Sequence, residues 1–140
     1  MHPAARHLVF HGAIVLLFGL LLGAPYAKAI KREAAAHIVN SWRVAHLSLP
    51  IGATLMLATA AVLSSLAAPA WLLWLIAVAL IVSAYGFCIS TPLAAVSGQR
   101  GLSSDGVVGL GWLVYLGNVV GAVASVVGAL ALLVAAFLSL

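Results

Sequence analysis

The chain has 140 residues, of which 66% are hydrophobic and 6% charged, with a net charge of +4 and a mean hydropathy of +1.28. That composition excludes a soluble domain, and nucleic acid is not an expected partner, because the basic residues flank apolar runs and form no stripe or motif. Cys88 is the single cysteine, which excludes an intrachain disulfide and a CxxC site.

Residues 8–24, 44–67, 70–91 and 107–140 contain no Lys, Arg, Asp or Glu. A hydrocarbon layer is crossed by roughly 20 apolar residues at about 1.5 Å each. The sequence therefore predicts an all-α fold, a single domain over residues 1–140 with four transmembrane helices. The first span is expected over about 8–25, ending at Gly23, Pro25 and Tyr26. Lys28, Lys31 and Arg32 follow it directly, which argues against cleavage as a secretory signal. Residues 31–39 are expected to form a short interfacial helix, with Asn40 or Ser41 capping the second span, about 42–67. Pro69 suits the first turn of the third span, about 69–91, and Thr91-Pro92 its end. Asp105 is a candidate N-cap for the fourth span, about 106–138, which at roughly 50 Å has to tilt, kink or project from the membrane.

Lys28, Lys31, Arg32, Arg43 and Arg100 fall on one side of this layout, and Arg6 on the other. The distribution predicts the first and third loops in the cytoplasm, with a bacterial inner membrane as the expected location. Gly117, Gly121, Ser125 and Ala129 recur at intervals of four, a stripe that serves either packing within the bundle or a homo-oligomer seam.

Polar groups inside the spans are the candidates for chemistry, because each is costly in lipid. His46 lies about one turn inside the second span, with Pro50 four residues on. Proline has no N–H for the His46 carbonyl, so a kink is expected there. A neutral imidazole in a dry setting is a good iron or zinc ligand, and equally a partner for a neighbouring helix. With the third span ending near Thr91, Tyr85 and Cys88 fall roughly 9 and 5 Å from that end. Tyr115 and Asn118 reach a similar depth on the fourth span, so His46, Tyr85, Cys88, Tyr115 and Asn118 are expected in one layer of the bilayer. His7 and His11 are one turn apart on the first span, at the opposite depth from His46, and read as an interfacial pair more readily than as a metal site. No span carries Asp or Glu, which weakens proton-coupled transport. Phosphate-loop, HExxH and GxSxG motifs are absent.

Several segments resemble the small four-span isomerases that include hydroxylaminobenzene mutase and styrene oxide isomerase. They are Arg6-His7-Leu8-Val9-Phe10-His11-Gly12 running into Leu16-Leu17-Phe18-Gly19-Leu20-Leu21; Ala45-His46-Leu47 after Trp42; and Gln99-Arg100-Gly101-Leu102. The resemblance implies a membrane trimer with haem b near subunit interfaces, His46 as axial ligand, and ferric iron acting as Lewis acid. The reaction it implies is an intramolecular rearrangement: an epoxide to an aldehyde, or an aromatic hydroxylamine to an aminophenol. On this reading Tyr85, Tyr115 or Asn118 orients a small apolar substrate that enters from lipid. The chain departs from the family pattern at Gly52, where the family has Asn, and at Cys88, where the epoxide isomerase has Tyr. A non-enzymatic membrane subunit, binding haem or a partner or carrying a small solute, is the alternative.

Overall fold

The computed structural model describes residues 1–99 and 109–140. Its elements are α1 (Pro3–Leu21), α2 (Gly23–Lys31), α3 (Ala36–Leu63), α4 (Ala70–Ser97) and α5 (Leu110–Phe137). With α1 and α2 taken as one span of 29 residues and the others at 28 each, four helices are long and apolar enough to cross a membrane. The all-α, four-span architecture is thus as the sequence predicts.

The helix ends differ from expectation. The first span begins five residues early because Pro3 occupies a first-turn position and the His2 ring accepts from the Ala4 N–H. It does not stop at Gly23. Pro25 removes the N–H that would reach the Leu21 carbonyl, and the helix breaks for one residue, Leu22, before resuming as α2. The expected interfacial helix over 31–39 is absent. The chain turns at Arg32–Ala35, with Glu33 at φ 50°, and α3 starts at Ala36. Asn40 and Ser41 are not caps but lie inside α3, where the Asn40 Oδ1 accepts from Arg43 at 2.6 Å and the Ser41 hydroxyl donates to the His37 carbonyl. At the far end α3 stops at Leu63, and Pro69 is the N-cap of α4 rather than a first-turn residue. Thr91-Pro92 does not end the third span either. The helix runs on to Ser97 and closes at Gly98, whose φ of 71° supplies the left-handed cap. The last span is 28 residues, about 42 Å at 1.5 Å each. Asp105 and most of the Gln99-Arg100-Gly101-Leu102 segment lie outside the described residues.

α1, α3 and α4 pack on one another, and α5 packs against α4 alone among the described helices. The α4–α5 seam is set by glycine. A Cβ on Gly86 would stand 2.8 Å from the Gly117 carbonyl oxygen, and one on Gly121 would stand 2.9 Å from the Phe87 ring. The Ser83 hydroxyl adds a hydrogen bond to the Gly121 carbonyl at 2.8 Å. Gly117 and Gly121 therefore serve packing within the chain, joined by Gly128 against Leu80, while Ala129 faces outward. Two of the four stripe positions, Gly117 and Gly121, are thus used inside the bundle.

Candidate functional site

Because α5 touches only α4 among the described helices, a cleft opens between α3 and α5 with α4 as its floor. Its volume is about 460 Å³, in the range of small-molecule sites. Val44, Ser48, Gly52 and Leu55 line it from α3, Phe87 and Thr91 from α4, and Asn118 and Ser125 from α5. The walls are apolar apart from a few hydroxyls and the Asn118 amide. A second recess at the charged end shares Val44, Thr91 and Asn118 with it and adds Asn40 and Ser41. Asn118 thus stands where an apolar cleft meets a more polar mouth.

His46 lies on the other side of α3. Its Nδ1 is 3.0 Å from the Gly19 carbonyl oxygen, its ring centroid 6.0 Å from that of Tyr26, and its Cε1 3.0 Å from where a Gly23 Cβ would be. A carbonyl only accepts, so Nδ1 carries the proton and Nε2 holds the lone pair. The approach depends on Gly19, where a Cβ would sit 2.5 Å from the Pro50 ring. Proline and histidine of α3 both press on bare α1 backbone. The sequence expects Pro50 to act on His46 through a kink that frees its carbonyl; α3 is assigned as one helix through Pro50, and the link between the two residues is instead the Gly19 backbone that both touch.

The other candidates are dispersed. Tyr85 does not share a layer with His46; its hydroxyl is 2.9 Å from Nδ1 of His11 on α1. The depth estimate failed because α4 continues to Ser97, which places Tyr85 about 18 Å from the helix end at 1.5 Å per residue. His11 in turn stacks against His7, and His7 packs against Trp74, with centroids 6.1 and 5.4 Å apart. The His7–His11 pair is therefore an aromatic ladder on α1 whose inner rung binds Tyr85, a link that sequence reasoning missed. The parallel run of α1 and α4 makes the pairing, and no local motif announces it. Tyr115 stacks on Trp112 at 5.5 Å. Cys88 is half-buried against the core. Among the described residues no group of three or more His, Cys, Asp or Glu could hold a metal ion.

The His11–Tyr85 bond ties α1 to α4 inside the membrane. Intramembrane hydrogen bonds of this kind average about 0.6 kcal/mol and reach about 1.7 kcal/mol. Tyr85→Phe is expected to lower stability by that amount in detergent, read as a small drop in the thermal midpoint.

One comparison decides the family. Residues 4–137 match the model of the family described as styrene oxide isomerase. The chain belongs to that family. The match spans all four membrane helices, including His46, the α3–α5 cleft and the His11–Tyr85 pair. No curated protein and no solved structure matches the chain. Membership in the styrene oxide isomerase family points to an isomerase-type function carried out by an integral membrane protein.

Proposed function

We propose that this chain rearranges a small apolar epoxide or aromatic hydroxylamine within the membrane, with haem b held at His46. The observation that carries the reading is the family match over residues 4–137, together with a histidine whose Nδ1 proton is committed to the Gly19 carbonyl. That commitment fixes the tautomer and ring orientation and leaves Nε2 as the donor, the arrangement usual for a metal-bound imidazole. A single protein ligand suits haem, whose porphyrin supplies four nitrogens. Bound there, haem would contribute a Lewis-acid iron that polarises the substrate oxygen.

The remaining work falls to the chain. Substrates of this class partition into lipid, and the cleft opens laterally between α3 and α5. Its apolar walls take the aryl group and exclude water from the reacting carbon. Asn118, at the polar mouth, is the best placed of the three orienting candidates. Neither Tyr85 nor Tyr115 lines the cleft, whereas Asn118 does. No oxidant or reductant is consumed, since a hydride or hydroxyl group moves within one molecule.

His46 and the cleft face opposite sides of α3, so this reading requires a homo-oligomer, a trimer on the family pattern, in which one copy's His46 face meets another copy's cleft. Co-expressing His46→Ala with Asn118→Ala is then expected to restore turnover that neither variant has alone. Turnover absent from the mixed assembly would place both residues in one chain's site. The reading as a whole is tested by the absorption spectrum of the detergent-purified protein, expressed with ample haem. A Soret band supports it. Colourless protein would remove iron and leave a cofactor-free mutase or a structural subunit.

A further inference from the structure

Glycine inside a helix costs about 1 kcal/mol relative to alanine, so its presence asks for a cause. In α1 to α4 every helical glycine but one has a neighbour that supplies it. A Cβ would meet Leu57 at 3.3 Å from Gly12, Pro50 at 2.5 Å from Gly19, His46 at 3.0 Å from Gly23 and the Gly117 carbonyl at 2.8 Å from Gly86. Gly52 is different. A Cβ built there meets nothing within 4 Å, and its φ is not positive. Neither packing nor backbone conformation requires glycine at 52.

What lies beside Gly52 is the cleft. Val44, Ser48, Gly52 and Leu55 follow one another along a single face of α3 and form one wall. Gly52 is a notch in that wall, one turn beyond the Ser48 hydroxyl and flanked by Ile51 and Leu55. The cavity volume of about 460 Å³ includes the space a side chain at 52 would fill.

We propose that Gly52 determines substrate size: the notch admits the second ring or ring substituent of a bicyclic or substituted aryl substrate, and so favours such substrates over single unsubstituted rings. This rests on the assignment of the cleft as the substrate site. With no side chain, Gly52 contributes space to the cleft and no reacting group.

The test measures binding of two unreactive probes, toluene and 2-methylnaphthalene, to the full-length protein in detergent, against protein-free micelles. Wild type is compared with Gly52→Ala and Gly52→Leu, each first checked for a cooperative thermal transition. Gly52→Leu is expected to weaken 2-methylnaphthalene by at least about tenfold, the scale set by methylene-sized changes in an apolar pocket, and toluene by less than about threefold. Gly52→Ala falls between, and serves alone if the leucine variant does not fold. Equal weakening of both probes, unchanged binding of both, or wild-type binding no stronger than that of micelles would overturn the proposal. The last result would also arise if lipid or a second copy fills the cleft. Because the probes do not react, size-selective binding without turnover of any epoxide or hydroxylamine would refute the isomerase reading and leave the notch standing. Turnover with size-blind binding would do the reverse.

Discussion

His46→Ala is expected to leave a folded four-span protein that retains at most about one hundredth of wild-type turnover. Lewis-acid polarisation of a reacting oxygen contributes several kcal/mol, and about 1.36 kcal/mol is worth tenfold in rate, so losing the ligand costs two or more decades. The fold has little at stake. His46 is only partly buried, and its one hydrogen bond, to the Gly19 carbonyl, is worth on the order of 1 kcal/mol. The Soret band should vanish with the activity. His11→Ala is the matched control: it breaks a bond of similar length, to Tyr85, and is expected to keep both the band and most of the turnover. A His46→Ala protein that keeps full turnover would remove His46 from the mechanism.

Gly86→Leu is expected to abolish folded protein. The Cβ would press on the Gly117 carbonyl oxygen at 2.8 Å and on the Gly121 amide nitrogen at 3.0 Å. These are backbone atoms in a helix and cannot rotate away. Overpacking against movable side chains already costs about 1–3 kcal/mol; here the whole of α5 has to shift. Since α5 is attached only through α4 among the described helices, the shift also opens the Ser83–Gly121 hydrogen bond. Size-exclusion chromatography after extraction should show aggregate in place of a monodisperse peak. The same change at Gly52, where nothing lies within 4 Å, separates close packing from the generic effect of a larger residue.

The four spans were legible because a charge-free run of twenty residues has few other uses. Their ends were not. Pro25, Thr91-Pro92 and Gly23 all read as stop signals in a water-soluble helix, yet a membrane helix tolerates them because neighbouring groups re-satisfy the backbone. Pro92 withdraws the donor for the Cys88 carbonyl, while the Thr91 hydroxyl bonds to the neighbouring Phe87 carbonyl at 2.8 Å, and the helix runs on to Ser97. Tyr85 therefore lies farther from the end of α4 than the stop at Thr91 implied, and its hydroxyl meets His11 on α1. His46 stood out as a polar residue inside a span, but its partner, Gly19, lies in another helix. Helix rotation decides such pairings, and on nearly uniform apolar surfaces the sequence carries little rotational signal. The glycine stripe on α5 announced close packing and left its partner open; the partner is α4. The cleft was illegible because it exists only where two helices fail to touch.

The most direct test is to incubate the purified protein with an aryl epoxide, and separately with an aryl hydroxylamine, adding no oxidant or reductant, and to identify the product by chromatographic retention against standards together with its mass. An aldehyde or an aminophenol of unchanged mass is expected from at least one of them. Both substrates returned intact by folded, haem-loaded protein, or an epoxide returned as the heavier diol, would contradict the isomerase reading.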